Sequence, residues 1–394
     1  MKRSNGEGTI YKRKDGRWCA AYYDEEPIPK RHFVYGKTQA EVKKKLKEKR
    51  DNPDIETGKN EKFTLESWIA YYLENFKKNE IKKTTYGTYF ETYRKHIKGA
   101  AIGRIKLKAL KTEQLQQFYN EKLQDGYSAK TVRHMHVIIN SALEYAFKMR
   151  YVKENVNRFV ILPKRETYVA KTLYAKEVSR IVNEAKEDEL YPIVVLCIYT
   201  GLRKGEIMAL KWEDVDFERK ELTVKASLCR VRKSTSKSGV TMYGYEILDP
   251  KTIKSKRVVP LMDKAVEALL LQKDRQEQMK EKYKLLYEDN GYVFAGKDGS
   301  YLKQRQFMDK YHDFLKKYDV SDVRFHDLRH TFASLLLEAG ESPKIIQELL
   351  GHTTITTTMD IYTHVSPKAK IQAIKTLDGV VKLSEKGSED NDEK

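Results

Sequence analysis

Three cysteines in 394 residues, Cys19, Cys197 and Cys229, are too far apart and the wrong number for a disulfide framework or a zinc knuckle, so a reducing cytoplasm is expected. No run of ~20 apolar residues occurs, and the opening MKRSNGEG has no apolar stretch of the kind a secretion leader needs; neither membrane insertion nor export is expected. A Walker-type phosphate loop and a clustered set of carboxylates are also missing, so neither a nucleotide cofactor nor a metal is expected. Acidic groups are outnumbered: 57 Asp+Glu against 76 Lys+Arg leave a formal charge of +19. The basic residues alternate with aromatics, 26 tyrosines among them, instead of forming one solvated tail. That pattern fits a binder of nucleic acid better than a generic basic protein.

The length exceeds one ordinary domain, and the patterning divides it into a multidomain α+β chain. Residues 1–60 hold three short aromatic and β-branched runs, GTIYKRK, RWCAAYYD and RHFVYG, separated by Asp15-Gly16 and by a Pro27/Pro29 stretch. They predict a small antiparallel sheet carrying Lys12, Arg13, Lys14 and Arg17 on its strands. Thr38 and Glu41 form a capping box that opens a helix, and residues 51–61 are the linker. Residues 63–163 read as an all-helical bundle of four helices, with Trp68, Tyr72 and Phe76 at fourfold spacing. Lys82, Lys83, Lys130 and Arg133 fall at helix starts or in capped turns, where basic side chains and orphan N–H groups act together on a phosphate. Each alone reads better as an ordinary exposed charge; as a set on the helices of a +19 chain they favour binding of the duplex backbone. Residues 157–170 are expected to be a strap to the next domain.

The third unit spans residues 172–378. A helix is predicted over 175–185, then a buried one in ELYPIVVLCIYTG that stops at Gly201. Arg203 therefore lies just beyond a buried helix end, with Glu206 three positions on as its ion-pair partner. Three strand-like runs follow, LTVKASLCRVR, YGYEIL and KRVVPL, the first two separated by a polar loop and the last two by DPKTIKS, which offers Lys251 and Lys254. Residues 267–284 read as a surface helix with a charged face. In RFHDLRHTFASLLL a helix with Ser321 or Asp322 as N-cap places His326 and Arg329 side by side, suited to an anion. LLGHTTITTTMDIYTHV then gives a helix capped by Gly351, His352 at the mouth of a turn, and Tyr362 ten residues on. Residues 368–382 form an amphipathic pattern, and the tail over 379–394, ending GSEDNDEK, is expected to be disordered.

His326 and Arg329 as HxxR, the LGH ending at His352, Tyr362 in IYTHV and Arg203 in YTGLRKGEIMALKWEDVD together resemble the signature of the tyrosine recombinases, the phage and conjugative-transposon integrase family. The resemblance covers about residues 170–378. It implies a mainly α catalytic domain with a small antiparallel sheet, a helical core-binding domain over 63–163 and an arm-type DNA-binding domain over 1–60. It further implies Tyr362 as nucleophile, Arg203 and Arg329 as clamps on the phosphate oxygens, His352 and His326 as hydrogen-bond and proton partners, and Lys251, with Lys254 as rival, as the acid. Double-stranded DNA attachment sites, a homo-tetramer on DNA, an excisionase and a host DNA-bending protein are the partners implied, and a bacterial nucleoid the setting. Three alternatives stand beside this reading: a type IB topoisomerase-like enzyme, a non-catalytic DNA-binding regulator, and a metallohydrolase using His326 and His330. The last is disfavoured by the absence of a glutamate next to the first histidine and by Arg329 between the two.

Overall fold

Short runs rich in aromatic and β-branched residues build the N-terminal sheet, with Cys19, Ala20 and Ala21 of its middle strand buried. In the computed structural model, which describes residues 9–23, 31–50, 63–165, 170–235, 241–249, 256–355 and 359, the chain forms two units, Met1–Thr167 and Tyr168–Lys394. Strands β1 (Thr9–Lys12), β2 (Trp18–Tyr23) and β3 (Arg31–Gly36) pair antiparallel in that order. Helix α1 (Gln39–Arg50) packs on β2 and β3 and buries Val42. Thr38 caps it, accepting from Glu41 N at 3.2 Å, while the Glu41 carboxylate reaches one residue further back, to Lys37 N at 2.8 Å. Of the four basic residues expected on the strands, only Lys12 is there. Arg13, Lys14 and Arg17 belong to the connecting turn, because Asp15 closes it by accepting from Arg17 N at 3.1 Å and from its guanidinium at 2.8 Å, with Gly16 at φ +80°.

The bundle is made of α2 (Leu65–Tyr72), which continues through a π-helical turn at Leu73–Lys77 into α3 (Lys78–Glu80), then α4 (Lys83–His96), α5 (Thr112–Gln124) and α6 (Ala129–Lys148). Thr64 and Ser67 cap α2 reciprocally, and Ser128 caps α6. Trp68 is fully buried and donates from Nε1 to Ala142 O at 2.7 Å. A π turn follows Tyr72, and Phe76 stays beside it: their ring centroids are 6.4 Å apart and both meet Tyr145, at 5.6 Å from Tyr72 and 4.3 Å from Phe76. The segment read as a strap does not hang free at its start. Asn157 is buried and accepts from Tyr119 OH at 2.8 Å, Gln116 exchanges two bonds with Ile161, and Arg133 Nε donates to Pro163 O at 2.9 Å. These bonds satisfy buried polar groups and fasten residues 157–163 to the bundle.

The second unit is arranged around α8 (Tyr191–Thr200), which is apolar on every side because other helices surround it. It is preceded by α7 (Ala175–Glu184) and followed by the short α9 (Lys204–Ile207). The strands depart from the expected single sheet. The first run breaks at Lys225-Ala226 into β5 (Glu221–Val224) and β6 (Ser227–Thr235), after the short β4 (Val215–Asp216). Strand β6 pairs with β7 (Thr241–Leu248) as a separate hairpin, while β8 (Arg257–Pro260) returns to β5 in the sheet β4-β5-β8. Helix α10 (Asp263–Tyr283) starts earlier than its charge pattern suggests and is more than a solvated surface. It packs on α8 with Ala265, Ala268 and Leu269 buried, and Gln276 accepts from Trp212 Nε1 at 2.6 Å. Helix α11 (Gln304–Lys317) buries Phe307, Tyr311, Phe314 and Leu315 along one stripe, a pattern present in the sequence and not anticipated above. It is followed by α12 (Asp327–Glu338) and α13 (Pro343–Leu350). Ser321 and Asp322 do not cap α12: Ser321 donates from N and Oγ to the buried Glu177 carboxylate, at 2.8 and 2.7 Å, and the cap position falls to His326. Among the described residues no helix is long and apolar enough to cross a membrane.

Candidate functional site

The C-terminal end of α13 gathers the site. Ser342 and Pro343 start this helix, and it stops at Gly351 in the left-handed region, φ +64°. Its last carbonyls have no partner within the helix and carry the negative end of the helix dipole. Three arginines from three distant segments fill that need. Arg257 Nε donates to Leu349 O at 2.7 Å, Arg329 Nη2 to Leu350 O at 2.5 Å and Arg203 Nη2 to Gly351 O at 3.1 Å. Arg329 also donates from Nη1 to Gly201 O at 2.6 Å, tying the end of α8 to the end of α13. Gly201, at φ +61°, makes this approach possible: a Cβ there would lie 2.6 Å from Phe332 Cδ1 and 2.7 Å from Leu350 Cδ2.

Glu206 is the carboxylate that two of these cations share. Arg203 occupies the cap of α9 and Glu206 its third position, so the Glu206 oxygens accept from Arg203 N at 2.9 Å and Arg203 Nη1 at 2.6 Å. Arg257 Nη2 and Nη1 reach the same carboxylate at 3.0 and 3.3 Å. Burial pushes the Glu206 carboxyl up, but the Arg257 hydrogen bond and the charges of both arginines bring it below its ordinary value, so it is ionised. Among the described residues, three guanidiniums stand against this one carboxylate, and positive charge is in excess. Arg329 is 2% exposed. Holding unbalanced charge away from water is unfavourable, and a bound anion would relieve it.

Two histidines border the cluster. His326 stands at the cap of α12 with a solvent-accessible side chain, and desolvation of the ring followed by the nearby Arg329 pushes its imidazole below its ordinary value. His352, immediately after Gly351, is buried, and burial with the Arg329 and Arg203 charges pushes it down to about 3. Both rings are therefore neutral near pH 7. His330 meets His326 edge to face, with ring centroids 5.8 Å apart. Among the described residues no three His, Cys, Asp or Glu side chains are grouped to hold a metal ion.

The structure thus assembles Arg203, Glu206, His326, Arg329 and His352. Lys251, its rival Lys254, and Tyr362 lie outside the described residues, as does the segment 368–382. The basic residues assigned to DNA backbone contact belong to the first unit. Lys82 caps α4, Lys83 opens it and Lys130 sits in the first turn of α6, all three exposed. Arg13 and Arg17 both pair with Asp15 and lie over the Tyr35 ring. Arg133 spends one donor on the Pro163 carbonyl. The residue that sequence reasoning missed is Arg257. Nothing local separates it from the adjacent Lys256, and only the return of β8 beside β5 carries it to Glu206.

Forked, always-charged donors beside two neutral imidazoles make a centre suited to the oxygens of a phosphodiester. Residues 171–369 match the family profile described as Phage integrase family, and residues 64–123 that of the phage integrase N-terminal SAM-like domain. The chain is 32% identical over 360 residues to the XerC-like tyrosine recombinase of Caldanaerobacter subterraneus subsp. tengcongensis, covering 88% of this chain and 91% of that one. In fold it is similar to the Tn1549 transposon integrase in complex with transposon right end DNA, with TM-score 0.64 at 20% identity over 80% of this chain and 100% of that one. It is also similar to lambda integrase, solved as a tetramer bound to a Holliday junction, with TM-score 0.54 at 19% identity over 91% and 96% of the two chains. The chain belongs to the phage integrase family of tyrosine recombinases and is a site-specific recombinase.

Proposed function

We propose that the chain integrates and excises a mobile element by cutting and rejoining DNA at attachment sites through a 3′-phosphotyrosine intermediate, with Tyr362 as nucleophile. The observation that carries this reading is the convergence of Arg203 and Arg329 on the end of α13, beside His352, which precedes Tyr362 by ten residues. A free phenol has a pKa near 10, so about one in a thousand is ionised at pH 7, and making it fully available is worth ~4 kcal/mol. In the step proposed, Tyr362 O bonds to phosphorus as the bond from phosphorus to the 5′ oxygen breaks. The phenolic proton passes to His326, whose neutral ring can accept it. Arg203 and Arg329 hold the non-bridging oxygens as charge builds on them, and neutral His352 donates a further hydrogen bond. Lys251, or Lys254 in its place, gives a proton to the departing oxygen. A 5′-hydroxyl from a second strand reverses the attack, so the bond energy is kept and neither nucleotide cofactor nor metal enters.

In this reading residues 1–60 bind arm sites, 63–163 grip the core site and 172–378 carry the chemistry. Lys12, Arg13, Lys14, Arg17, Lys82, Lys83, Lys130 and Arg133 contact the DNA backbone. The working form is a homo-tetramer on DNA in the bacterial cytoplasm, on the nucleoid, with an excisionase and a host bending protein setting direction. The test uses a pool of nicked duplexes of randomised sequence. The nick lets a short 5′-hydroxyl strand diffuse away, trapping protein on DNA, and the captured duplexes are then sequenced. A covalent adduct that survives denaturing gel, enriches one sequence and is absent for Tyr362→Phe, with duplex binding retained, is the expected result. Adduct formation by Tyr362→Phe would overturn the assignment.

A further inference from the structure

We infer that Arg257 is a positioning residue for strand cleavage: a buried counter-cation that keeps Glu206 from neutralising Arg203. The inference rests on the reading that Arg203 grips the scissile phosphate. Each Glu206 oxygen accepts one bond from each arginine: Oε1 from Arg203 Nη1 and Arg257 Nη1, Oε2 from Arg203 N and Arg257 Nη2. The two cations are not equivalent. Arg257 has a side chain 6% exposed and is turned wholly inward, whereas Arg203 keeps 33% of its side chain exposed and so presents an open edge to an incoming anion. Without Arg257, the buried Glu206 would balance Arg203 alone, and the pair would meet a phosphate with no net charge. With Arg257 present the trio carries one net positive charge, and the exposed side of Arg203 is where it can be felt.

The third donor of Arg257 adds geometry to charge. Its Nε bond to Leu349 O joins the Glu206 carboxylate to the end of α13, two residues before Gly351, which accepts from Arg203, and three before His352. A planar fork makes both connections at once, and an ammonium cannot reproduce them. Arg257 thus holds Arg203 and His352 in one frame without touching the phosphate.

The experiment is single-turnover cleavage of a captured nicked duplex at saturating DNA, beside the binding constant for the same duplex. Arg257→Gln is expected to slow cleavage by about 10²-fold, the scale of losing one preorganised phosphate donor, with duplex affinity within a few fold. The discriminating result is the double variant. Adding Glu206→Gln to Arg257→Gln removes the quenching carboxylate and is expected to restore cleavage by about tenfold, whereas a purely architectural role makes the losses accumulate. A double variant slower than Arg257→Gln, or wild-type cleavage by Arg257→Gln alongside a crippled Arg203→Ala, overturns the inference. Wild-type cleavage by Arg203→Ala instead overturns the phosphate-grip reading beneath it. Should Arg257→Gln not fold, Arg257→Met, which likewise removes the charge, is compared on the ordinary duplex and on one with a neutral methylphosphonate at the scissile position. A loss transmitted through the charge of Arg203 shrinks on the neutral substrate, and a loss equal on both sinks the proposal.

Discussion

The helical bundle and the second unit differ in the charge they bury. In the bundle the buried polar side chains are neutral and mutually satisfied: Asn157 serves Tyr119 and His136, and Asn155 serves Asn140 and Glu144. The second unit buries ions as well as neutral groups: Arg329, Glu206, Arg257 and Asp327 are all nearly out of solvent, beside Thr200, Gln276, Thr331 and Gln347. Neutral networks of the first kind fix one packing and ask for nothing further. A cluster of three guanidiniums and one carboxylate leaves a charge that the protein interior disfavours, and the carbonyls and dipole of α13 offset only part of it. The excess is explicable as readiness for an anion. The first unit shows how the fold holds itself together, and the second what it was left open to bind.

Breaking the charged cluster gives the largest effect. Arg329→Ala removes donors to Gly201 O and Leu350 O and one of the two proposed phosphate clamps, so cleavage of a captured duplex should fall by about 10²- to 10³-fold at saturating DNA. Single-turnover gels check this, and a loss of less than about tenfold would mean that the buried charge faces no reacting oxygen. The neutral network predicts the converse. Asn157→Leu strands the Tyr119 hydroxyl and His136 Nδ1, and should lower the unfolding free energy by about 3 kcal/mol in urea titration while leaving the cleavage rate of bound duplex unchanged. If cleavage fell in step with stability, the two regions would be coupled and the contrast between them would be false.

The contrast also governs what the sequence made legible. Local pattern carried the bundle and the ends of α8 and α13, because a Ser cap before α6, an all-apolar run closed by Gly201 and a Gly351 stop each act over a few residues. Arg203 and Glu206 were readable for the same reason, being three positions apart on one turn. What stayed hidden depends on long-range return. The break at Lys225-Ala226 sends β6 into its own hairpin and brings β8 back to β5, and nothing in the run LTVKASLCRVR marks that division. Arg257 was hidden with it. The cap of α12 was misread because Ser321 has the chemistry of a cap and spends it on Glu177, 144 positions away.

The smallest effect follows from His352. Its folded-state pKa, about 3, lies below the ordinary histidine value near 6.5, so the native state binds fewer protons than the unfolded chain. Stability from this group is therefore present above pH 6.5 and lost as pH falls from 6.5 toward 3. Between pH 7 and 5.5 the loss should be on the order of 1 kcal/mol, and His352→Asn should flatten it in paired urea titrations. His136 is also pushed down, chiefly by burial and then by Arg133, so the bundle weakens in the same direction and the two regions differ only modestly. Bound duplex separates them. A phosphate seated among Arg203, Arg329 and His352 favours the protonated ring, raises the His352 pKa and shrinks the acid loss of the second unit, whereas the enclosed His136 pair has no such partner. An acid loss unchanged by DNA, with His352→Asn still flattening it, would put that imidazole beside the arginines and away from the phosphate.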